Sequence, residues 1–361
     1  MMFDFLAWWE SFSEAPFVLL IVLLLVTHFF YHRYFRHLQL TVASPSIIMA
    51  LGAFALIAMP ELHINISIML VVAIELVLLW TYLTISLLYS YSHGLISFRP
   101  PRKNIEVGTW VTGTALTMLV IDQIEPTLYG FILWLGLASL FFYALYVCLV
   151  IKWLALSRRR HIKIDGKVML IAISTLSIAL LIMEVFGADV PTWIYQGIIS
   201  SGTLLGFTGL LAIIISYKRQ CRGHFFATWS TSNCLIYGAF AMTGLAALET
   251  HSFEKELIYI DWYFTIIWFV IVELLELVRL CIRVKKKGWF KSVGVYHVSQ
   301  WLRIFALAML NGFALSYYNH HYISNKLLAI TASYAQFIVL MLVIIELSLL
   351  LGRIANQGEN K

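Results

Sequence analysis

The feature that most constrains this chain is a cadence of long apolar runs separated by short polar gaps. Eleven runs occur, at about residues 17–31, 43–59, 64–90, 107–121, 127–153, 167–186, 192–216, 225–248, 258–280, 295–317 and 326–352. Roughly 20 consecutive apolar residues suffice for a helix to cross the hydrocarbon of a bilayer. Composition agrees. The 361 residues are 61% hydrophobic and 12% charged, with a mean hydropathy of +0.85, against about 25% charged in ordinary soluble domains. A soluble core could not hide so much apolar surface. The pattern excludes a soluble enzyme, a nucleic-acid-binding domain and a disordered chain, and it predicts an all-α polytopic membrane protein.

The basic residues sort by side. The gaps after runs 1, 3, 5, 7 and 9, with the tail after run 11, hold 22 of the 25 Lys and Arg, among them Arg158–Arg160 and Lys285–Lys287. The opposite gaps hold Lys255 and Lys326, and Arg303 falls inside a run. Basic loops stay cytoplasmic, so the N-terminus is expected outside and the C-terminus in the cytoplasm, in a plasma or bacterial inner membrane. The net charge of +6 is thus a topology signal and not a nucleic-acid patch; a lipid contact for Lys285–Lys287 is a secondary reading. Run 1 reads as an extra N-terminal membrane helix, or as an interfacial one. It does not read as a typical cleaved signal peptide, because Asp4, Glu10 and Glu14 precede it with no Lys or Arg. The expected organisation is an N-terminal segment and anchor helix over 1–40, a ten-helix domain over 41–353 and a cytoplasmic tail over 354–361.

Ten runs remain, and they pair into five hairpins whose first helices start near residues 43, 107, 167, 225 and 295, in steps of 64, 60, 58 and 70. Such regularity marks a repeat. The outgoing helices carry small and hydroxyl residues, including Ser46, Thr109, Thr112, Ser174, Thr228, Thr231 and Ser232; the returning helices are greasier and more aromatic. Lipid offers a hydroxyl no partner, so the outgoing helices should face protein or a water-filled path. The expected architecture is two concentric rings, five polar helices inside and five apolar ones outside, around a central pore. Close packing of small residues is the competing explanation.

This arrangement resembles the tellurite-resistance/dicarboxylate transporter family, which includes the plant slow-type anion channels. The resemblance covers residues ~40–353. Its most specific local match is Trp301-Leu302-Arg303-Ile304-Phe305 in the fifth outgoing helix, where the family has a Trp and, four residues on, a Phe that plugs the pore. By that resemblance Phe305 is the gate and Trp301 a lining residue, the transported species are small inorganic or organic anions, and the assembly is a homotrimer. Arg303 and the extra N-terminal helix depart from the family pattern.

Five ionisable residues lie well inside the runs: Glu75, Glu273, Glu276, Glu346 and Arg303. Intramembrane charge is costly and marks function by default. Arg303 lies about 200° round the helix from Phe305, so the two cannot share a face. Either Arg303 pairs with a glutamate such as Glu273 or Glu346 on an outer helix, or it faces the pore and binds anion. The glutamates read as helix contacts or, alternatively, as proton-coupling groups. Four scattered cysteines form no metal or disulfide pattern, and no catalytic or cofactor motif occurs, so neither enzyme activity nor a cofactor or metal is expected. The alternatives to transport are a membrane-embedded enzyme acting on a lipid and a non-transporting structural or sensory protein.

Overall fold

The computed structural model describes residues 43–94, 105–157, 164–220, 226, 229–289, 292, 296–321 and 326–359. The expected anchor helix at 17–31, Thr228 and most of the basic gap residues lie outside the described residues. Among the described residues there are helices and no strands. They run α1 (Ser46–Ala53), α2 (Ile66–Ser92), α3 (Gly108–Ile124), α4 (Tyr129–Ser157), α5 (Leu170–Phe186), α6 (Thr192–Gln220), α7 (Leu235–Glu249), α8 (Lys255–Lys287), α9 (Ser299–His321) and α10 (Lys326–Glu359). All belong to one compact unit, Val42–Lys361.

Six helical segments are long and apolar enough to cross a membrane: Ile66–Ser92, Pro126–Leu154, Gly166–Phe186, Thr192–Arg219, Thr231–Glu249 and Lys326–Gly352. Ser46–Glu61 is apolar but shorter, and α3 has 17 residues. A helix of that length spans about 26 Å, less than the hydrocarbon thickness. The mismatch is tolerable where a helix is wrapped in protein rather than lipid. Helices α8 and α9 have the length, 33 and 23 residues, but interrupt their apolar runs with charge. The chain is a helical membrane protein.

Local chemistry sets several boundaries. Helix α1 passes through a π-helical stretch, Phe54–Ala58, into a last α-turn, Met59–Glu61. The Asn65 side chain accepts the Ser67 N–H and starts α2. Helices α5 and α7 each begin with a 3-10 turn, Gly166–Met169 and Thr231–Cys234, the first capped by the Asp165 carboxylate on Lys167 N–H. Helix α7 therefore starts later than the sequence implies. Ser230 is extended, and Thr231 and Ser232 sit in the lead-in turn rather than in an α-helix, because Ser, Thr and Asn offer the backbone local side-chain partners that compete with helix.

Burial divides the helices by parity. In the most apolar stretches of α5 and α7, 72% and 94% of residues are buried, against 28% to 33% in α2, α4, α6 and α10. Every residue of α3 from Gly108 to Ile121 is buried. Large exposed apolar side chains concentrate on the even helices, for example Phe141, Leu211, Ile267 and Phe337. Contiguous apolar surface on this scale marks a lipid interface. The odd helices pack on one another in an order that returns to its start: α1 on α3, α3 on α5, α5 on α7, α7 on α9, and α9 on α1. Helix α2 packs on α1 and α3, α4 on α3 and α5, α6 on α5 and α7, α8 on α7, and α10 on α9 and the π-helical stretch of α1.

Candidate functional site

The odd helices share an interior, and contacts on α3 and α9 say which side chains turn toward it. On α3, Gly113 abuts Ile48 of α1, Gly108 abuts Ser174 of α5, and Thr114 accepts the Trp80 indole N–H of α2 at 2.8 Å. Thr112 lies between the α1-facing and α5-facing sides, opposite α2. It is fully buried, and its hydroxyl has no partner among the described residues. On α9, Gly312 meets Ile57 of α1 and Ala306 meets Gly238 of α7. Phe305 falls between those two directions and is completely buried.

Arg303 points the other way. Its guanidinium grips Glu273 of α8 with two donors, one of them Nε at 3.2 Å. The Tyr237 hydroxyl of α7 donates to Glu273 Oε1 at 3.0 Å. Three helices thus meet on one carboxylate. One turn further along α8, Arg279 pairs with Glu276 at 3.2 Å. Glu346 is buried on α10 with Oε2 unpartnered among the described residues, and Glu75 is half-buried on α2.

The remaining candidates divide evenly: Ser46, Ser174 and Thr231 tie separate segments together, and Thr109, Ser232 and Trp301 bond within five residues of themselves. Thr109 donates to Glu106 O at 2.7 Å, Ser174 donates to Gly108 O at 3.1 Å, and Ser46 donates to Val298 O at 3.5 Å. Thr231 exchanges a hydrogen bond with Ser299 at 2.6 Å, and Ser232 one with Ser230 at 2.8 Å. Trp301 is buried and donates its indole N–H to the Tyr296 hydroxyl at 3.0 Å. These bonds form a polar clasp at the starts of the odd helices. Gly166 belongs to it: its N–H donates to Asn233 Oδ1 at 2.8 Å, and a Cβ there would collide with the Ser232 backbone, so only glycine permits the approach. Asn233 Nδ2 and Ser230 N–H both donate to the Tyr217 hydroxyl, each at 3.0 Å, and Lys167 pairs with Glu106.

The opposite ends of these helices are acidic. The carboxyl groups of Asp122 on α3 and Glu184 on α5 lie close together, with Glu249 of α7 nearby. Ser316 of α9 donates to Glu249 at 2.7 Å. Sequence reasoning missed Tyr237 and Glu106 as partners, because neither carries a local pattern; both are defined by helices distant in the chain. No family model and no curated protein matches this chain. Among the described residues no group of three His, Cys, Asp or Glu is placed to hold a metal.

Proposed function

We propose that this protein is a channel or transporter for small anions, with a path along the axis enclosed by the five odd helices and closed midway by Phe305. The observation that carries the reading is the packing order of the odd helices, which returns to its start while each helix buries hydroxyl-bearing residues. Five buried helices in cyclic contact, backed by five apolar ones, give two concentric rings with ten membrane crossings. The resemblance to the tellurite-resistance/dicarboxylate transporter family supplies the anion class and a homotrimeric assembly.

The chemistry is consistent with that class. Thr112 Oγ1 is a buried donor with no partner among the described residues, and a passing anion or its water can accept a hydrogen bond from it. An aromatic ring across a narrow apolar section stops conduction by blocking and dewetting. The ends differ in charge. Lys167 and the basic gaps flank the starts of the odd helices, and Asp122, Glu184 and Glu249 flank their ends. In the proposed orientation, with the N-terminus outside and the C-terminus cytoplasmic in a plasma or bacterial inner membrane, anions enter more readily from the cytoplasmic side.

Flux in liposomes tests the proposal. Phe305→Ala is expected to raise chloride or nitrate flux well above that of the parent protein. Parent-level flux in a folded Phe305→Ala protein would remove Phe305 as the gate. Absence of flux for chloride, nitrate, sulfite and dicarboxylates in both proteins would reject the transport reading.

A further inference from the structure

Two carboxamides on the hairpin of α9 and α10 have bonding capacity left over. Asn311 of α9 is completely buried, and neither its Oδ1 nor its Nδ2 has a hydrogen-bond partner among the described residues. Gln336 of α10 is 6% exposed. Its Nε2 donates to Ser333 O at 2.7 Å, and its Oε1 has no partner there. The spare groups are complementary, because Asn311 holds a donor and Gln336 an acceptor. Hydrocarbon supplies no water to either, so a bond left unmade is costly.

The fold brings the two amides to one place. On α9, Arg303 points to α8, Ala306 and Phe313 meet α7, and Gly312 meets α1. At about 100° per residue, Asn311 falls between the α8 and α1 directions and away from α7. That is the side covered by α10, which packs on α9 and on the π-helical stretch of α1. Gln336 lies on the buried stripe of α10, with Ala332, Val339 and Val343. The two helices form an antiparallel hairpin. Asn311 lies ten residues before the end of α9 at His321, and Gln336 ten residues after the start of α10 at Lys326, so the amides share a level.

The third wall is the π-helical stretch, Phe54–Ala58. It packs on both α9 and α10, and its Ile57 meets Gly312, the neighbour of Asn311. Met59 N–H bonds to Phe54 O, five residues back, so the turn holds one residue more than an α-turn. Such turns are short and gather at functional sites. Closing it to α-helix exchanges hydrogen bonds within the turn and rotates Met59–Glu61 by about 100° relative to Ser46–Ala53, which changes the surface that α10 meets. We propose that α1 and α10 form a two-position element: when the π turn closes to α-helix, α10 shifts on α9 and Asn311 Nδ2 donates to Gln336 Oε1. The element stands independently of the transport reading.

Hydrogen–deuterium exchange of the full chain in neutral detergent, read on peptides covering Phe54–Glu61, tests this. Asn311→Leu or Gln336→Met removes the bond that favours the closed turn. Each is expected to raise exchange across Phe54–Met59 severalfold, and the two together no more than either alone, since both act on one bond. Val339→Ala thins the same stripe without touching an amide and is expected to leave that exchange nearly unchanged. The unfolding temperature should fall by several degrees in each single variant and recover in part in the double one, where no amide is stranded. Should Asn311→Leu not fold, Asn311→Ala takes its place. Three results would overturn the proposal: unchanged exchange in a folded single variant, effects that add in the double variant, or an equal rise in Val339→Ala.

Discussion

Helices α4 and α8 are both held against buried helices, and they are held by different chemistry. Helix α4 is joined through neutral groups. Ser139 donates to Val111 O at 3.1 Å, Tyr146 donates to Ile105 O at 3.1 Å, and the Tyr143 and Thr175 hydroxyls meet at 3.1 Å. Around Tyr146 the packing is aliphatic and aromatic, with Val107, Val111, Val150 and Ile178. Helix α8 is joined through an ion pair, Arg303 to Glu273, with Tyr237 donating to the same carboxylate, while Arg279 and Glu276 pair within α8 itself. A neutral bond removed costs little beyond itself. A charge whose partner is removed stays buried and unpaired, and the bilayer gives it no water. The corner around α8 is thus the less tolerant of the two to single changes.

The largest expected effect follows from that asymmetry. Arg303→Gln leaves Glu273 facing Tyr237 alone. Breaking one side of a buried pair costs about 3–5 kcal/mol, and with the two side chains still 24% and 18% exposed the low end applies. Arg303→Met combined with Glu273→Leu should recover much of the loss, because no charge is then stranded. If the double variant unfolds as easily as the single one, the ion pair has a role beyond pairing. Differential scanning fluorimetry in detergent reads both.

Packing gives the next contrast. Gly244 of α7 lies directly under the Phe313 ring, which stacks edge-on against Trp262 of α8 at 5.4 Å. Gly136 of α4 has Met118 Sδ at an ordinary 3.5 Å. Gly244→Ala should cost about 1–3 kcal/mol through overpacking, and Gly136→Ala should leave the unfolding temperature nearly unchanged. Equal losses would mean that the two corners are packed alike. Smaller still, Tyr146→Phe removes one neutral hydrogen bond and should cost about 1 kcal/mol. A loss as large as that of Arg303→Gln would erase the distinction between the corners. On the functional side, Glu184→Gln should raise anion entry from the end where Asp122, Glu184 and Glu249 gather, and leave entry from the other end unchanged; liposomes of known orientation read this.

Much of the fold is legible in the sequence because hydropathy is a local signal. The ten described helices lie where apolar runs exceed about 15 residues, and the division into small-residue and greasy helices reappears as the division between buried and exposed. The Arg279–Glu276 contact could also be read, since i, i+3 residues always meet on a helix. The π-helical stretch at Phe54–Ala58 could not, because no residue in Phe-Ala-Leu-Ile-Ala dictates it; it lies where α1 packs on both α9 and α10. Nor could the choice of Glu273 over Glu346 as the partner of Arg303. Both were candidates, and only the placement of α8 and α10 around α9 separates them. The hydroxyls show the same limit. Composition marks Thr109, Thr112 and Ser174 alike, but Thr109 is spent on the carbonyl three residues before it and Ser174 on a carbonyl of α3, while Thr112 turns inward with no partner among the described residues.

In the proposed function, the interior shared by the odd helices is a solute path closed by Phe305. Substituted-cysteine accessibility tests it without knowledge of the solute. In a chain with Cys148, Cys221, Cys234 and Cys281 replaced, Thr112→Cys should react with a small water-soluble, membrane-impermeant thiosulfonate. The reagent should reach it freely from the side where the odd helices begin, and from the other side only once Phe305→Ala is added. Reaction from both sides with Phe305 intact, or from neither side with or without it, would contradict the account.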